Sequence, residues 1–305
     1  MNIIVTGGSG FLGQALCKKL QEFDHNVISL SSKEANLLDI NALDKYNNIN
    51  FEKIFHLATW TQAGDFCIYH QGEQWLINQR INTTVLNWWK ECQPQAKLIS
   101  IGTSCSYDEN IDLVESNYLR GSPREELYCY AMTKRMLLIG QQSINEQYSL
   151  NYLTVIPSTL YGINYNMKNK QYHFIFDLIN KILGYKYLGN DAILWGDGNQ
   201  KRELVYVNDF IEEMLEIDKS LENDIVNIGA GEDYTIKQFA ENICSILSVE
   251  PNVIKYDKNK YVGARSKKLV TKKLDSILPK RKRTLLEEGL KKTVKWMEKI
   301  YTDRL

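Results

Sequence analysis

Short apolar runs at 2–6, 26–30, 53–57, 96–102 and 151–156 have the length of strands and lack polar alternation. That pattern predicts strands buried on both faces. Between them, apolar positions recur at helical spacing over 11–22, roughly 73–91, and 128–147. Strand and helix in alternation predict right-handed βαβ units and a parallel sheet. After Pro157 the pattern changes. A polar stretch from Asn164 to Tyr172 precedes a helical run near 173–184 and a glycine-rich turn, Trp195-Gly196-Asp197-Gly198-Asn199. Strand-like segments at 203–207 and 225–228 are expected to rejoin the main sheet, and helical patterns at 235–248 and 284–300 to build a smaller lobe. The expected fold is α/β: a Rossmann-type doubly wound parallel sheet with a smaller mixed or helical C-terminal lobe. Residues 1–157 and 203–229 fall to the sheet domain, and 158–202 and 230–305 to the lobe.

Gly7-Gly8-Ser9-Gly10-Phe11-Leu12-Gly13 sits between the first strand and the first helix. Glycines at 7, 10 and 13 permit a tight turn, close approach of backbone to a pyrophosphate, and helix–strand packing. The helix N-terminus then holds the anion. In that context the loop reads as a dinucleotide site. The choice between NAD and NADP turns on the end of the second strand, where an acid would hold the ribose hydroxyls and an arginine the extra phosphate. Leu30-Ser31-Ser32-Lys33 carries neither, and the reading leans to NAD, with NADP as the alternative.

The chain has 305 residues, 44% hydrophobic and 24% charged, which excludes a disordered or fibrous protein. Its 37 basic and 37 acidic residues cancel, yet residues 251–305 hold 17 basic and 6 acidic, a net +11. An anionic ligand is therefore expected to meet the C-terminal part. The run Lys280-Arg281-Lys282-Arg283 is read as a solvated helix entrance, because no nucleic-acid-reading motif accompanies it. No nucleic-acid partner is expected. Six cysteines without Cys-x-x-Cys spacing and four scattered histidines predict neither a disulfide framework nor a metal site. No segment approaches the ~20 apolar residues of a membrane span, and no signal peptide opens the sequence. A cytoplasmic protein with no membrane partner is the expectation.

Tyr130 and Lys134 stand four apart at the start of a predicted helix, so the phenol and the ammonium share a face. A lysine beside a tyrosine lowers the phenol pKa from its usual value near 10 and fits it to move a proton as hydride moves. The preceding strand ends in Ser100-Ile101-Gly102-Thr103-Ser104-Cys105. Trp88-Trp89 on the 73–91 helix suit either the core or a subunit interface, and Asp209 suits a helix N-cap.

The glycine loop, His56-Leu57-Ala58 at a strand end, Gly102-Thr103-Ser104-Cys105-Ser106-Tyr107 and Tyr130…Lys134, in this order, resemble the extended short-chain dehydrogenase/reductases that act on nucleotide sugars. The resemblance runs from residue 1 to about 300. Within it, the pattern is similar to the GDP-fucose synthases, epimerase/reductases of a GDP-4-keto sugar. At Trp60–Cys67 and Glu73-Gln74-Trp75-Leu76 it looks more like the GDP-manno-heptose 4-dehydrogenases of bacterial capsule pathways. The resemblance implies that Gly7, Gly10, Phe11, Leu12, Gly13, Asp39, Ile40, Leu57, Ala58, Tyr130, Lys134 and Pro157 contact the dinucleotide. It implies Tyr130 as acid/base with Lys134 as its partner, Thr103 on the reacting sugar oxygen, and Asn78 supporting a proton-relay water. Cys105 and His173 match proton-transferring residues. Thr103, Ser104, Thr159, Tyr161, Arg202 and Arg265 face the substrate, with Arg202 and Arg265 on its phosphates. Two reactions follow: oxidation of carbon 4 of a GDP-sugar, GDP-manno-heptose first, by NAD; or epimerisation and reduction of a GDP-4-keto sugar using Cys105 and His173. A homodimer or higher homo-oligomer built on the 73–91 and Tyr130 helices is also implied.

Overall fold

The computed structural model describes residues 1–62, 66–165, 171–260 and 264–305. The N-terminal part runs β1 (Asn2–Thr6), α1 (Phe11–Glu22), β2 (Asn26–Leu30), β3 (Lys53–His56), the short α2 (Phe66–Tyr69), α3 (Gln71–Cys92), β4 (Lys97–Ile101), α4 (Tyr128–Tyr148) and β5 (Tyr152–Pro157). There follow β6 (Thr159–Tyr161), α5 (Phe174–Leu188), β7 (Ala192–Trp195), β8 (Lys201–Arg202), β9 (Leu204–Tyr206), α6 (Val207–Asp218) and β10 (Asp224–Ile228). The chain closes with β11 (Tyr234–Thr235), α7 (Ile236–Leu247), β12 (Ile254–Asp257), α8 (Lys272–Ile277) and α9 (Leu286–Thr302).

Six strands form one parallel sheet in the order β10-β5-β4-β3-β1-β2. The inner strands β1, β3, β4 and β5 are buried almost throughout because both faces are covered, whereas the edge strand β2, expected to be buried on both faces, leaves Asn26 and Ser29 exposed. One face packs Ile3, Val5, Ile99 and Val155 on α1 and α6, and the other packs Ile4, Ile54, Leu98 and Ile156 against α3 and α4. The chain leaves β1 toward β2 on one side and later toward β3 on the other. This reversal opens a crevice beyond the carboxyl ends of β1 and β3, where ligands of such sheets bind. A third core, with Phe176, Ile179, Phe239 and Val294, lies in the smaller lobe under α5, α7 and α9.

The α/β expectation holds, with one strand misplaced. Segment 224–228 joins the sheet as β10, but 204–206 does not: β9 pairs in parallel with β6 as a separate ribbon, Thr159 opposite Leu204 and Tyr161 opposite Tyr206. Both edges of β5 are already taken by β4 and β10, leaving no vacancy beside it. β9 instead spans two cores, with Val205 in the sheet core and Leu204 and Tyr206 in that of the lobe.

Three local expectations change or resolve. The 280–283 run is a solvated entrance only in part: Lys280 and Lys282 are exposed, but Arg283 pairs with Glu213 at 2.8 Å, and Arg281 pairs with Asp275 and reaches Glu213 at 3.6 Å. Asp209 does not cap α6, which begins at Val207. Its carboxylate accepts from Thr284 N and Oγ1 at 2.7 and 2.9 Å and secures the approach to α9. Trp88 and Trp89 belong to the core, and their indole N–H groups donate to Asn47 Oδ1 and Ala96 O. No helix among the described residues is long and apolar enough to cross a membrane.

At the opposite end of the sheet from the crevice, Asp218 is buried between Lys53 and Lys97, with Lys97 Nζ 2.9 Å from its carboxylate. Lys97 also donates to the carbonyls of Asp218 and Leu221. The charge closes α6 onto the first residues of β3 and β4. Removing it strands two ammonium groups at a largely buried site. Asp218→Ala is expected to cost about 3 kcal/mol in urea unfolding, a loss of buried-pair size rather than surface-pair size.

Candidate active site

β1 delivers the chain into the glycine loop. Gly7 has φ +69°, and a Cβ there would stand 2.7 Å from Ala58 N, so the loop must have glycine to lie against Leu57-Ala58 at the end of β3. At Gly13 a Cβ would run into the Gly7 carbonyl oxygen, which fixes how tightly α1 sits on β1. Gly10 is the N-cap of α1 and carries no side chain to occupy the first-turn N–H groups, which stay available for a phosphate. Phe11 meets Tyr165 and Phe176 edge-on at 5.5 and 6.0 Å, tying this end of α1 to the lobe. Leu12 follows it in the first turn of α1, and Pro157 closes β5 at the same edge of the sheet. Beneath the loop, His56 Nδ1 meets Thr6 Oγ1 at 2.8 Å and Nε2 meets Asn82 Oδ1 at 3.1 Å. Asn82 in turn donates to Thr133 O. Burial, then the charge of Lys134, lowers His56 to about 4, and this network is neutral.

Asp39 and Ile40 line an open groove of about 720 Å³ with Arg80, Thr83 and Thr84 of α3. At the end of β2 the structure supplies an acid that the strand-end reading overlooked. The Glu34 carboxylate folds back to accept from Ser31 N at 2.8 Å and from Ser31 Oγ, bonds that hold its pKa below the ordinary carboxylate value. The signal was an acid four residues past the strand, reached only because the chain turns.

The candidate catalytic groups lie after β4 and on the first turns of α4. After Ile101 the chain enters a single 3-10 turn, Ser104–Ser106, capped by Thr103, whose Oγ1 accepts from Cys105 N at 3.2 Å. That turn is pinned to α4. Arg135, buried, donates to Ser106 O at 2.9 Å through Nε and to the carbonyls of Arg120 and Gly121, while Ser106 Oγ donates to Ala131 O. The pin brings the Thr103 hydroxyl toward Tyr130, where it opposes the rise of the phenol pKa, and sets Lys134 one turn further along α4. Ser104 lies half-buried in the turn.

Protonation departs from the sequence expectation. Tyr130 is raised, not lowered: burial dominates, and negative charge on Cys105 adds to it, against the influence of Thr103. Lys134 falls to about 8 through burial. The phenol is therefore a proton donor at neutral pH.

Asn78 fills all four of its hydrogen-bonding positions. Oδ1 accepts from Trp60 N (2.7 Å) and Thr59 Oγ1 (3.1 Å), and Nδ2 donates to Trp60 O and Gln74 O. Its side chain thus has no position left for a relay water and acts by holding the loop after β3. Tyr161 does not face a substrate either. It is 1% exposed in the lobe core, edge-on to Tyr206 with its hydroxyl against Gly289, because a bulky ring is needed beneath β6 and β9. Thr159, half-buried, begins β6.

From the lobe come Arg202, His173 and one residue the sequence reading passed over. Arg202 Nη1 donates to Ala264 O at 2.8 Å, and Arg265, exposed, accepts at its carbonyl from Lys201 N. Lys267 Nζ lies 2.9 Å from Cys105 Sγ. Burial would raise the Cys105 thiol, but the charge and hydrogen bond of Lys267, the Thr103 bond and the charge of Arg202 outweigh it and lower it. His173, the N-cap residue of α5, keeps solvent access, yet enclosing protein and then the charges of Lys267 and Arg202 take it down to about 4. Lys267 was hidden in a lysine-rich tail where spacing singles out no residue.

A sheet with this reversal, a glycine loop on α1 and a Thr–Tyr–Lys group at the ends of β4 and α4 is the arrangement of a nicotinamide-dependent sugar enzyme, and residues 3–229 match the model of the NAD dependent epimerase/dehydratase family. The chain belongs to that family. It is 30% identical over 308 residues to a GDP-L-colitose synthase of Yersinia pseudotuberculosis, covering 97% of each chain. It is 25% identical over 305 residues to a GDP-L-fucose synthase of Azorhizobium caulinodans, covering 96% of this chain and 95% of the relative. A GDP-L-fucose synthetase of Naegleria fowleri bound to NADP superposes with a TM-score of 0.86 at 24% identity, covering 99% of this chain and 95% of that one. The enzyme thus uses an NAD(P) cofactor, and the glycine loop, with room for backbone contact at Gly7 and free N–H groups at α1, fits it.

Tyr130→Phe is expected to lower turnover by about 10²–10⁴, the worth of a positioned proton donor, with folding unchanged by circular dichroism. Because Lys134 titrates at about 8, turnover should fall as pH rises through that value and the ammonium is lost. In Lys134→Arg, which stays charged, that alkaline limb should be absent from the pH–rate profile.

Proposed function

We propose that this enzyme is an epimerase/reductase of a GDP-linked 4-keto sugar, the reaction of the GDP-fucose synthases. One observation carries the reading: beside the hydride-transfer group Thr103, Tyr130 and Lys134 stands a thiol, Cys105, paired with a cation at 2.9 Å. Moving hydride at carbon 4 needs no such group, whereas moving a proton at a neighbouring carbon does. The protonated Tyr130 supports the reductive direction, since it gives a proton to the carbon-4 oxygen. The relatedness to a colitose synthase and a fucose synthase points the same way. The oxidative reading, with GDP-manno-heptose as substrate in capsule biosynthesis, has less support. It rests on the Trp60–Cys67 loop, of which 63–65 lie outside the described residues, on Glu73-Gln74-Trp75-Leu76 in the first turns of α3, and on the lack of a cofactor arginine after β2.

In this proposal Arg202 and Arg265 hold the diphosphate, and Thr159 and Ser104 border the sugar. The Cys105 thiolate takes the proton from carbon 3 or 5, and the electron pair moves into the carbon-4 carbonyl to give an enolate. Reprotonation on the other face inverts the carbon. His173, uncharged at neutral pH, is the second proton-accepting group of the cleft. The cofactor, when bound, would supply the hydride for carbon 4; Tyr130 would protonate the carbon-4 oxygen, with Thr103 beside it. Exposed Trp75 and Leu76 of α3 and Met136 and Ile139 of α4 support assembly of a homodimer across these helices.

The test is solvent exchange. In D₂O without reduced cofactor, a GDP-4-keto-6-deoxy sugar is expected to take up deuterium at carbon 3 or 5 by NMR, and Cys105→Ser to slow this at least tenfold. No uptake by the wild-type enzyme would rule the reading out.

For the cofactor, Glu34 supports NAD over NADP: a carboxylate held at Ser31 repels a 2′-phosphate. Glu34→Ala is expected to shift the kcat/KM ratio about tenfold toward NADPH, about 1.4 kcal/mol. An unchanged ratio would remove Glu34 from the selection.

A further inference from the structure

The Cys105–Lys267 contact joins residues 162 positions apart, one in the turn after β4 and one on the segment that runs from the lobe back to the sheet core, where Leu269 is buried. The segment that carries Lys267 is stitched in place along its length. Ala264 O accepts from Arg202 Nη1 (2.8 Å) and Arg265 O from Lys201 N (2.9 Å). Ser266 Oγ donates to Asp233 Oδ2 (2.9 Å), Leu269 N to Glu203 Oε2 (3.0 Å), and Val270 N to Leu113 O (3.0 Å). Glu203 is itself buried, and its other oxygen accepts from Gly231 N at 2.8 Å. A lysine midway along a segment fixed on both sides has its backbone placed for it, so little ordering remains to be met when its ammonium reaches a partner. The partner is equally fixed: the Cys105 turn is capped by Thr103 and held on α4 by Arg135.

We propose that Lys267 is the positioning residue of the proton-transfer step: its ammonium, carried by the segment stitched between lobe and sheet core, holds Cys105 as a thiolate, so that the base of this enzyme is completed by a residue far away in the chain. The inference rests on the epimerase/reductase reading for its catalytic meaning, but the ion pair itself does not depend on it. The groups that face Cys105 argue for this division of labour. Thr103 and Tyr130 are neutral donors, Cys67 is a second, neutral thiol, and Arg202 acts at longer range, its Nη1 on the Ala264 and Lys201 carbonyls. Lys267 is the cation in hydrogen-bond contact. Such a thiolate accepts a proton from a carbon beside the carbonyl to become a thiol, and Lys267 stays an ammonium throughout.

Two measurements on the intact enzyme without substrate test the pair. The first is the difference absorbance at 240 nm between wild type and Cys105→Ser as pH is varied, which reads the Cys105 thiolate directly. The second is the rate of iodoacetamide labelling at Cys105 against pH, located by peptide mass spectrometry, in wild type, Lys267→Met and Lys267→Arg. Expected are a thiolate at Cys105 at pH 7 in the wild type, a labelling midpoint about one pH unit or more higher in Lys267→Met, and a return toward wild type in Lys267→Arg. A wild-type difference spectrum without thiolate at pH 7 would overturn the proposal. So would a Lys267→Met midpoint equal to wild type, or a Lys267→Arg profile that follows Lys267→Met. Deuterium exchange with the GDP-4-keto sugar then separates the two readings. A confirmed ion pair without exchange in the wild type refutes the epimerase and leaves the pair standing. Exchange that persists in Lys267→Met at the wild-type rate and pH dependence refutes the role of Lys267 and leaves the epimerase standing.

Discussion

Six parallel strands covered on both faces impose most of what this molecule is. A parallel strand cannot return by a tight turn, so the crossovers are long; most are helices that lie on a face of the sheet, while β2 to β3 carries only the 3-10 turn Asp44–Tyr46. The chain between a strand and its following helix therefore always emerges at the same edge. The glycine loop, Leu57-Ala58, Thr103–Ser106 and Pro157 all lie at that edge because they end β1, β3, β4 and β5. The reversal at β1 then leaves a gap between neighbouring crossovers where a dinucleotide fits without displacing any core residue. Asp218 with Lys53 and Lys97 closes the far edge, which needs no opening.

Within this frame, the site is held by buried polar groups rather than by packing. Arg135 spends its guanidinium on three backbone carbonyls, and His56, Thr6 and Asn82 form a neutral network beneath the cofactor loops. Buried donors left unmet are costly, so each such group has few acceptable positions, and the loops they hold inherit that definition. The lobe is secured by the same means through Glu203, Arg202 and Asp209. Both sides of the cleft consequently reach the sugar-handling groups from fixed backbone, with the lowered Cys105 and the raised Tyr130 only a few residues of chain from their anchors.

Much of the fold was legible because burial on two faces writes itself as an unbroken apolar run. The strands up to β5 and the helices α1, α3 and α4 fall close to where periodicity puts them. Position 204–206 was not legible, since an apolar triplet does not say which edge is vacant. Among candidate site residues, Gly7, Gly13, Tyr130 and Lys134 are readable through backbone need or spacing, whereas Thr103 was implied only by the family resemblance. Tyr161 misled because an aromatic in a functional stretch looks the same whether it faces ligand or core. Glu34 and Lys267 went unseen because each reaches its place by a turn or by long-range pairing that leaves no local pattern. The direction of the Tyr130 shift was misjudged for a related reason: spacing supplies the lysine, but burial decides the outcome.

The sequence by itself determined the alternation of strands and helices, the phosphate-binding turn and the tyrosine–lysine pair. Each of these is fixed by local periodicity or by backbone geometry within a few residues. Tertiary structure alone decided that Glu34 stands at the end of β2, that Asn78 holds a loop, that Tyr130 keeps its proton, and that Lys267 meets Cys105. Those outcomes depend on desolvation and on contacts between residues far apart in the chain, and neither is encoded in the spacing of residues along it.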